Sequence, residues 1–268
     1  MIKVVENATG RLGLIRRARG YHDDLARGGD FWQIMIERYG ISLDVIAGRV
    51  ANIPASGPLV VVANHPFGIL DGMILGYLLA LRRGDFRILA NSVFGNAPDL
   101  QRAVLPICFD QSDDAIKLNL NSRAAALEFL RGGGAIGVFP GGTVSTSARP
   151  FKRPMDPVWR RFTARMIAKS GATVVPVFFD GSNSQLFQLA SHLNYTLRMA
   201  LLVKEFYRRT DKPVKLGIGD PIAPQEISRF ATDPASLMDF LRDATYSLAP
   251  SSAGRTSYGY EFEAKYRA

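Results

Sequence analysis

A chain of 268 residues with 33 Lys and Arg against 24 Asp and Glu, a net charge of +9, has room for one large domain or a domain with an appendage. Its basic surplus favours an anionic partner: membrane lipid, nucleic acid or an acidic carrier protein. The single Cys108 excludes an intramolecular disulfide and any multi-cysteine metal site, and three scattered histidines offer no metal-ligand spacing.

Residues 1–52 read as an N-terminal appendage of helix and loop. Arg11, Arg16, Arg17 and Arg19 share it with Leu12, Leu14 and Ile15, and Phe31, Trp32, Ile34, Met35 and Ile36 follow. A basic amphipathic segment beside aromatics suits a lipid interface; packing over a core with its arginines solvated is the equally open alternative. No apolar run approaches the ~20 residues that span a bilayer. Residues 73–81 reach about half that length and read as a buried helix. Lys3 is not followed by an apolar core and a cleavage site, so a cytoplasmic protein without a signal peptide is expected.

Pro54-Ala55-Ser56-Gly57-Pro58 turns the chain into the main domain, residues 53–248. Residues 59–63 are a continuous apolar run, the mark of a strand buried on both faces. A helix follows to about Arg83, with Asp71 as its cap and Gly84 as its stop. Residues 86–90 form the next strand. A helix over 122–131 ends at Gly132-Gly133-Gly134 and leads into a strand at 135–139. A further helix starts at Asp156 and Pro157, carries Trp159, Phe162, Met166 and Ile167 on one face, and stops at Gly171 before a strand at 173–179. Alternating strand and helix argue for an α/β fold with a mostly parallel central sheet flanked by helices and an N-terminal helical appendage. Ligands of such sheets collect at the carboxyl ends of the strands, where His65, residues 140–143 and residues 180–184 would converge. Cys108, after a strand, reads as a buried structural thiol, and residues 249–268 as a partly disordered C-terminal tail.

The most informative stretch is Asn64-His65-Pro66-Phe67-Gly68-Ile69-Leu70-Asp71, a strand-end His followed by a helix-start Asp. An Asp on one ring nitrogen fixes the tautomer and frees the other nitrogen to take a proton. With it stand Phe86-Arg87-Ile88-Leu89-Ala90-Asn91 through Leu105-Pro106-Ile107, then Phe139-Pro140-Gly141-Gly142-Thr143-Val144-Ser145, then Val174-Val175-Pro176-Val177. In this order the four blocks resemble those of the glycerolipid acyltransferases, the lysophosphatidic acid acyltransferase superfamily, and span roughly half of the chain. Five residues separate His65 from Asp71 where the family has four. The third block carries Gly141 for the family's Glu and Val144 for its Arg. These departures, with Asp180-Gly181-Ser182-Asn183-Ser184, resemble a hemolysin-like bacterial branch similar to the O-acyltransferases of ornithine lipids and related aminolipids.

The resemblance implies transfer of a fatty acyl group from an acyl thioester, acyl-ACP or acyl-CoA, to the hydroxyl of a lyso-aminolipid, with no cofactor beyond that co-substrate. It makes His65 the general base and Asp71 its orienting partner, with Gly68 letting the longer loop bulge. Gly141, Gly142 and Thr143 are candidates for oxyanion and substrate binding, with Asn64, Asn91 and Ser145. Residues 186–202 could line an acyl groove or simply pack. An anionic membrane surface is the expected location, on the inner face of the cytoplasmic membrane. A 1-acylglycerol-3-phosphate acyltransferase is the alternative; a non-catalytic lipid-binding module is more distant. A serine hydrolase has no Gly-x-Ser-x-Gly elbow to support it. Nucleic-acid and nucleotide motifs are missing, Gly217-Ile218-Gly219 being only a fragment of a fingerprint.

Overall fold

The computed structural model describes residues 10–92, 94, 98–108, 112–250 and 257–262. Expectations about residues 1–9 and about residues 251–256 and 263–268 of the tail lie outside these.

Three helices come first: α1 (Arg11–Ala18), α2 (Tyr21–Ala26) and α3 (Phe31–Arg38). Then follow β1 (Ser42–Gly48), β2 (Leu59–Ala63), α4 (Ile69–Arg83), β3 (Arg87–Asn91), β4 (Val104–Ile107), α5 (Asp113–Arg131) and β5 (Ala135–Val138). A two-residue ladder, β6 (Thr146–Ser147) with β7 (Pro154–Met155), precedes α6 (Arg161–Ser170) and β8 (Thr173–Phe179). A helical hairpin, α7 (Gln185–Leu193) and α8 (Tyr195–Tyr207), leads to β9 (Pro213–Ile218), α9 (Pro224–Ser228) and α10 (Pro234–Tyr246).

The main sheet runs β1-β9-β8-β2-β5-β3-β4. From β8 to β4 every pairing is parallel; β9 runs antiparallel to β8, and β1 parallel to β9. The expected α/β fold with a mostly parallel sheet and N-terminal helices is therefore present. Period-two alternation sends Leu59, Val61 and Ala63 of the fully buried β2 to one face and Val60 and Val62 to the other. The first face packs against Leu14, Met35, Leu70, Leu75 and Phe206 of α1, α3, α4 and α8. The second packs against Leu130, Met166, Ile227 and Leu241 of α5, α6, α9 and α10. Burial on both faces is why β2 reads as an unbroken apolar run.

Local signals placed several boundaries well. Gly84 and Gly171 end α4 and α6 with φ of 68° and 63°, which glycine adopts without strain. Others needed the fold. α5 begins at Asp113 rather than 122, capped by the Ser112 hydroxyl, because Ile116 and Leu120 in its early turns face outward and hide the helical period. α6 begins at Arg161, not at Asp156, whose carboxylate is committed elsewhere. β1 lies inside the segment read as helix and loop; on the sheet edge it is half exposed and shows little apolar pattern. Gly217 and Ile218 of the rejected fingerprint close β9. Cys108 is half-buried rather than buried, since it follows the edge strand β4.

The N-terminal aromatics pack inward: Trp32 lies so close over Gly76 of α4 that a Cβ there would meet the indole at 2.3 Å. Leu12 and Ile15 of α1 remain exposed. Residues 257–262 lie along the small ladder, with Gly259 N–H donating to Asp156 O and Tyr260 N–H to Thr146 O. Among the described residues no helix is long and apolar enough to cross a membrane.

Candidate active site

β2 delivers His65 at its carboxyl end, and the turn Pro66–Gly68 folds back so that α4 begins at Ile69. Gly68 takes φ 82°, a left-handed conformation that absorbs the extra residue between His65 and Asp71. His65 Nδ1 then lies 3.0 Å from Asp71 Oδ2. The contact is close but bent, since the ring N–H direction does not point squarely at the oxygen. Asp71 is the third helical residue rather than the cap. Its Oδ2 accepts the backbone N–H groups of Phe67 at 2.8 Å and Gly68 at 2.9 Å, so the carboxylate shapes the loop while it faces the imidazole. A carboxylate in a first helical turn also meets the positive end of the helix.

Asp71 is wholly buried, and burial pushes its carboxyl above the usual carboxylate range, opposed by His65 and the two backbone donors. The His65 ring stacks on Phe139, centroids 4.2 Å apart, and its side chain keeps 18% of its exposure. With Nδ1 turned to Asp71, Nε2 has no hydrogen-bond partner among the described residues and is free to accept a proton.

The third block follows β5 and returns to the same loop: Ser145 N–H donates to His65 O at 2.8 Å. Gly142 N–H closes a turn on Phe139 O at 3.0 Å, so it is spent. The N–H groups of Gly141 and Thr143 make no hydrogen bond among the described residues. Thr143 Oγ1 accepts from Arg198 Nη2 at 3.1 Å, and the Ser145 hydroxyl is buried against Asp156. Asn64 spans to β8, donating Nδ2 to Phe179 O at 2.9 Å and accepting Phe179 N–H at 2.7 Å, so its amide clamps two strand ends together. Asn91 closes β3 at the same end of the sheet. His22 and His192 sit against Tyr21 and Tyr260.

Two charged residues of this site carry no signal in the linear pattern. Asp156, read as a helix cap, is wholly buried. Its Oδ1 accepts the backbone N–H of His65 at 3.1 Å and the Ser145 hydroxyl, and its Oδ2 accepts Trp159 Nε1 at 2.9 Å. A Cβ at Gly141 would come 3.3 Å from Asp156 Cβ. The Asp156 carboxylate, from another segment, thus packs directly against the position where the family has Glu. Arg198 of α8, only 1% exposed, donates to Val144 O, Thr143 Oγ1, Thr146 Oγ1 and Ser191 Oγ between the rings of Phe187 and Phe262. A guanidinium thus meets the backbone at the position where the family has Arg. Desolvation pulls Arg198 down to about 10, which leaves it charged at neutral pH. The linear pattern offers little more than Trp159 three residues after Asp156 and an arginine in the largely apolar first half of α8.

The family model described as Acyltransferase matches residues 29–254 of this chain. The chain is a member of that acyltransferase family. Its relatives include the lyso-glycine lipid O-acyltransferase of Phocaeicola vulgatus, 27% identical over 230 residues, covering 82% of this acyltransferase and 78% of that protein. The lyso-glycine lipid O-acyltransferase of Bacteroides thetaiotaomicron is 25% identical over 228 residues, covering 82% and 80%. In fold the acyltransferase is similar to the 1-acyl-sn-glycerophosphate (LPA) acyltransferase PlsC from Thermotoga maritima, with a TM-score of 0.54 and 17% identity over 92% of this chain and 96% of that one. The expected superfamily and the expected enzyme class both hold.

Proposed function

We propose that this acyltransferase moves a fatty acyl group from an acyl thioester to the hydroxyl of a lyso-aminolipid of the glycine-lipid type. The observation that carries the chemistry is His65 Nδ1 at 3.0 Å from Asp71 Oδ2, with Nε2 free. The similarity to two lyso-glycine lipid O-acyltransferases across most of the chain supports the acceptor.

In this reading Nε2 of His65 takes the proton of the acceptor hydroxyl as its oxygen attacks the thioester carbonyl, and Asp71 stabilises the imidazolium. The tetrahedral oxyanion is met by the N–H groups of Gly141 and Thr143. Collapse breaks the C–S bond, and the imidazolium returns its proton to the leaving thiolate. Positioned base catalysis of this kind is worth about 10²–10⁴-fold, and each oxyanion donor about 3 kcal/mol.

Asp156 and Arg198 act as positioning residues that hold the His65 loop and the third block in register. The donor, acyl-ACP or acyl-CoA, is an acidic molecule that suits the basic surface. The enzyme works at an anionic membrane surface on the inner face of the cytoplasmic membrane, with residues 1–52 as the associating segment, whose β1 also completes the sheet of the catalytic domain, residues 53–248, and residues 249–268 as a tail. Exposed Leu12 and Ile15 in α1, and Leu186, Leu193 (80% exposed), Tyr195 and Met199 in the α7–α8 hairpin, support peripheral lipid contact. Phe187, Ala190, Leu201 and Leu202 of the same hairpin instead pack with Val144.

The test is acyl transfer by the purified protein to lyso-glycine lipid and to lysophosphatidate, with wild type and His65→Ala. Transfer to the aminolipid that His65→Ala abolishes is expected. Transfer to lysophosphatidate alone returns the enzyme to the glycerophosphate acceptor.

A further inference from the structure

Two guanidinium groups stand near the His65–Asp71 loop, and they differ in how much bonding capacity they have left. Arg198 spends its four Nη hydrogens on four protein acceptors and is sealed from solvent, so it can only hold its own loop. Arg209, just beyond α8, is half-buried and among the described residues donates once, from Nη2 to Ser182 O at 2.8 Å. It has no carboxylate within ion-pair distance among the described residues. The nearby Glu205 binds the Ser184 N–H and hydroxyl, and lies 3.7 Å from Arg208. A partly desolvated cation that feels Glu205 and Asp71 only through space, without a direct ion pair, gains from an anion that joins it.

The surroundings leave it open to one. Arg209 lies 4.2 Å over the ring of Phe67, the residue two past His65, which fixes its plane and puts it on the catalytic loop. Gly181 faces both: a Cβ there would come 2.8 Å from the Phe67 ring and 3.7 Å from Arg209 Nη2, so the absent side chain keeps the guanidinium uncovered. In the same loop Asn183 is 3% exposed, and neither Oδ1 nor Nδ2 of its amide has a partner among the described residues. Burial weakens the hold of Arg209 on its proton, opposed by the charges of Glu205 and Asp71.

We propose that Arg209, with the Asn183 amide of the loop it grips, is the subsite for the carboxylate of the acceptor's amino-acid headgroup. This rests on the lyso-aminolipid reading and adds its recognition element. An amino acid linked to the lipid through its nitrogen ends in a free carboxylate, a planar anion that a guanidinium fork binds through two parallel hydrogen bonds. Anchored on Phe67, that carboxylate would tether the acceptor with its hydroxyl free to turn toward His65.

Steady-state kinetics of the full chain in mixed micelles test it, using lyso-glycine lipid and the same lipid with its carboxylate converted to a carboxamide. Arg209→Gln is expected to raise KM for the carboxylate acceptor roughly 10–100-fold, with kcat at saturation little changed and the carboxamide KM unaltered. Arg209→Lys, which keeps the charge but not the fork, falls between. Arg208→Gln, on the exposed neighbour, leaves both acceptors unchanged. Equal KM for wild type and Arg209→Gln on the carboxylate acceptor, or an equal rise with both acceptors, overturns the subsite while the lyso-aminolipid reading stands. Wild-type inactivity on both acceptors overturns that reading and the subsite with it.

Discussion

The Asp156 carboxylate accepts the backbone N–H of His65 at 3.1 Å, joining residues 91 positions apart. Asp156 touches the chain of the base rather than its ring, and the same oxygen takes the Ser145 hydroxyl. Base loop and third block are thereby fixed to one buried anion.

Asp156→Asn should uncouple them. All three side-chain partners of Asp156 are donors, and an amide offers only one acceptor atom, so at least one donor faces an NH₂ group. Leaving a buried donor unmet costs about 1–3 kcal/mol. A lower thermal midpoint and a reduced kcat are expected together, read by thermal unfolding and acyl-transfer kinetics. Wild-type values of both would show that the hub is dispensable.

Asp71→Asn separates shape from charge. The amide oxygen can keep the Phe67 and Gly68 N–H bonds, because the second carboxylate oxygen has no partner to lose among the described residues. The fold should survive while kcat falls about 10²–10⁴-fold, the range of a positioned acid–base pair.

The pH behaviour of Asp71 follows from burial. A carboxyl raised in the folded state holds its proton more tightly there than in the unfolded chain. Its contribution to stability is fully present below the ordinary carboxylate range and is lost as pH rises through the raised folded value. Catalysis needs the ionised form, so kcat should fall as pH drops through that same value. Chemical denaturation across the acid range should show a flatter stability profile for Asp71→Asn than for wild type.

Gly141→Glu, which restores the family's residue, should damage this enzyme. Its Cβ would crowd Asp156 at 3.3 Å and bring a second carboxylate to a buried one. Gly141→Ala asks for a shift of only a few tenths of an ångström and should be mild. A Gly141→Glu protein as stable and active as wild type would mean the Asp156 carboxylate does not crowd that position.

Arg198→Lys keeps a charge but cannot reach the acceptors on Thr143, Val144, Thr146 and Ser191 at once. Lower stability and a lower kcat are expected, with KM for the acceptor changing less than in Arg209→Gln. A KM-only effect would make Arg198 a substrate contact instead.

Much of the site is legible in the amino-acid sequence. The apolar run of β2, His65 at its end, and the glycines after β5 are local signals. They depend on strand period and chain direction, and parallel topology then carries strand ends to one edge of the sheet. Edge elements were harder to read. β1 is half exposed, and the early turns of α5 turn apolar residues outward, so neither shows the contrast of faces on which periodicity depends.

Local pattern in the chain carries the α/β class, the His65–Asp71 pair and the lack of Glu and Arg in the third block. Long-range contacts bring a carboxylate and a guanidinium back to that block from Asp156 and Arg198, and stack Arg209 on Phe67. The reason is physical. Strand and helix signals act between near neighbours, whereas a buried charge is set by whichever distant groups the fold brings within hydrogen-bond reach.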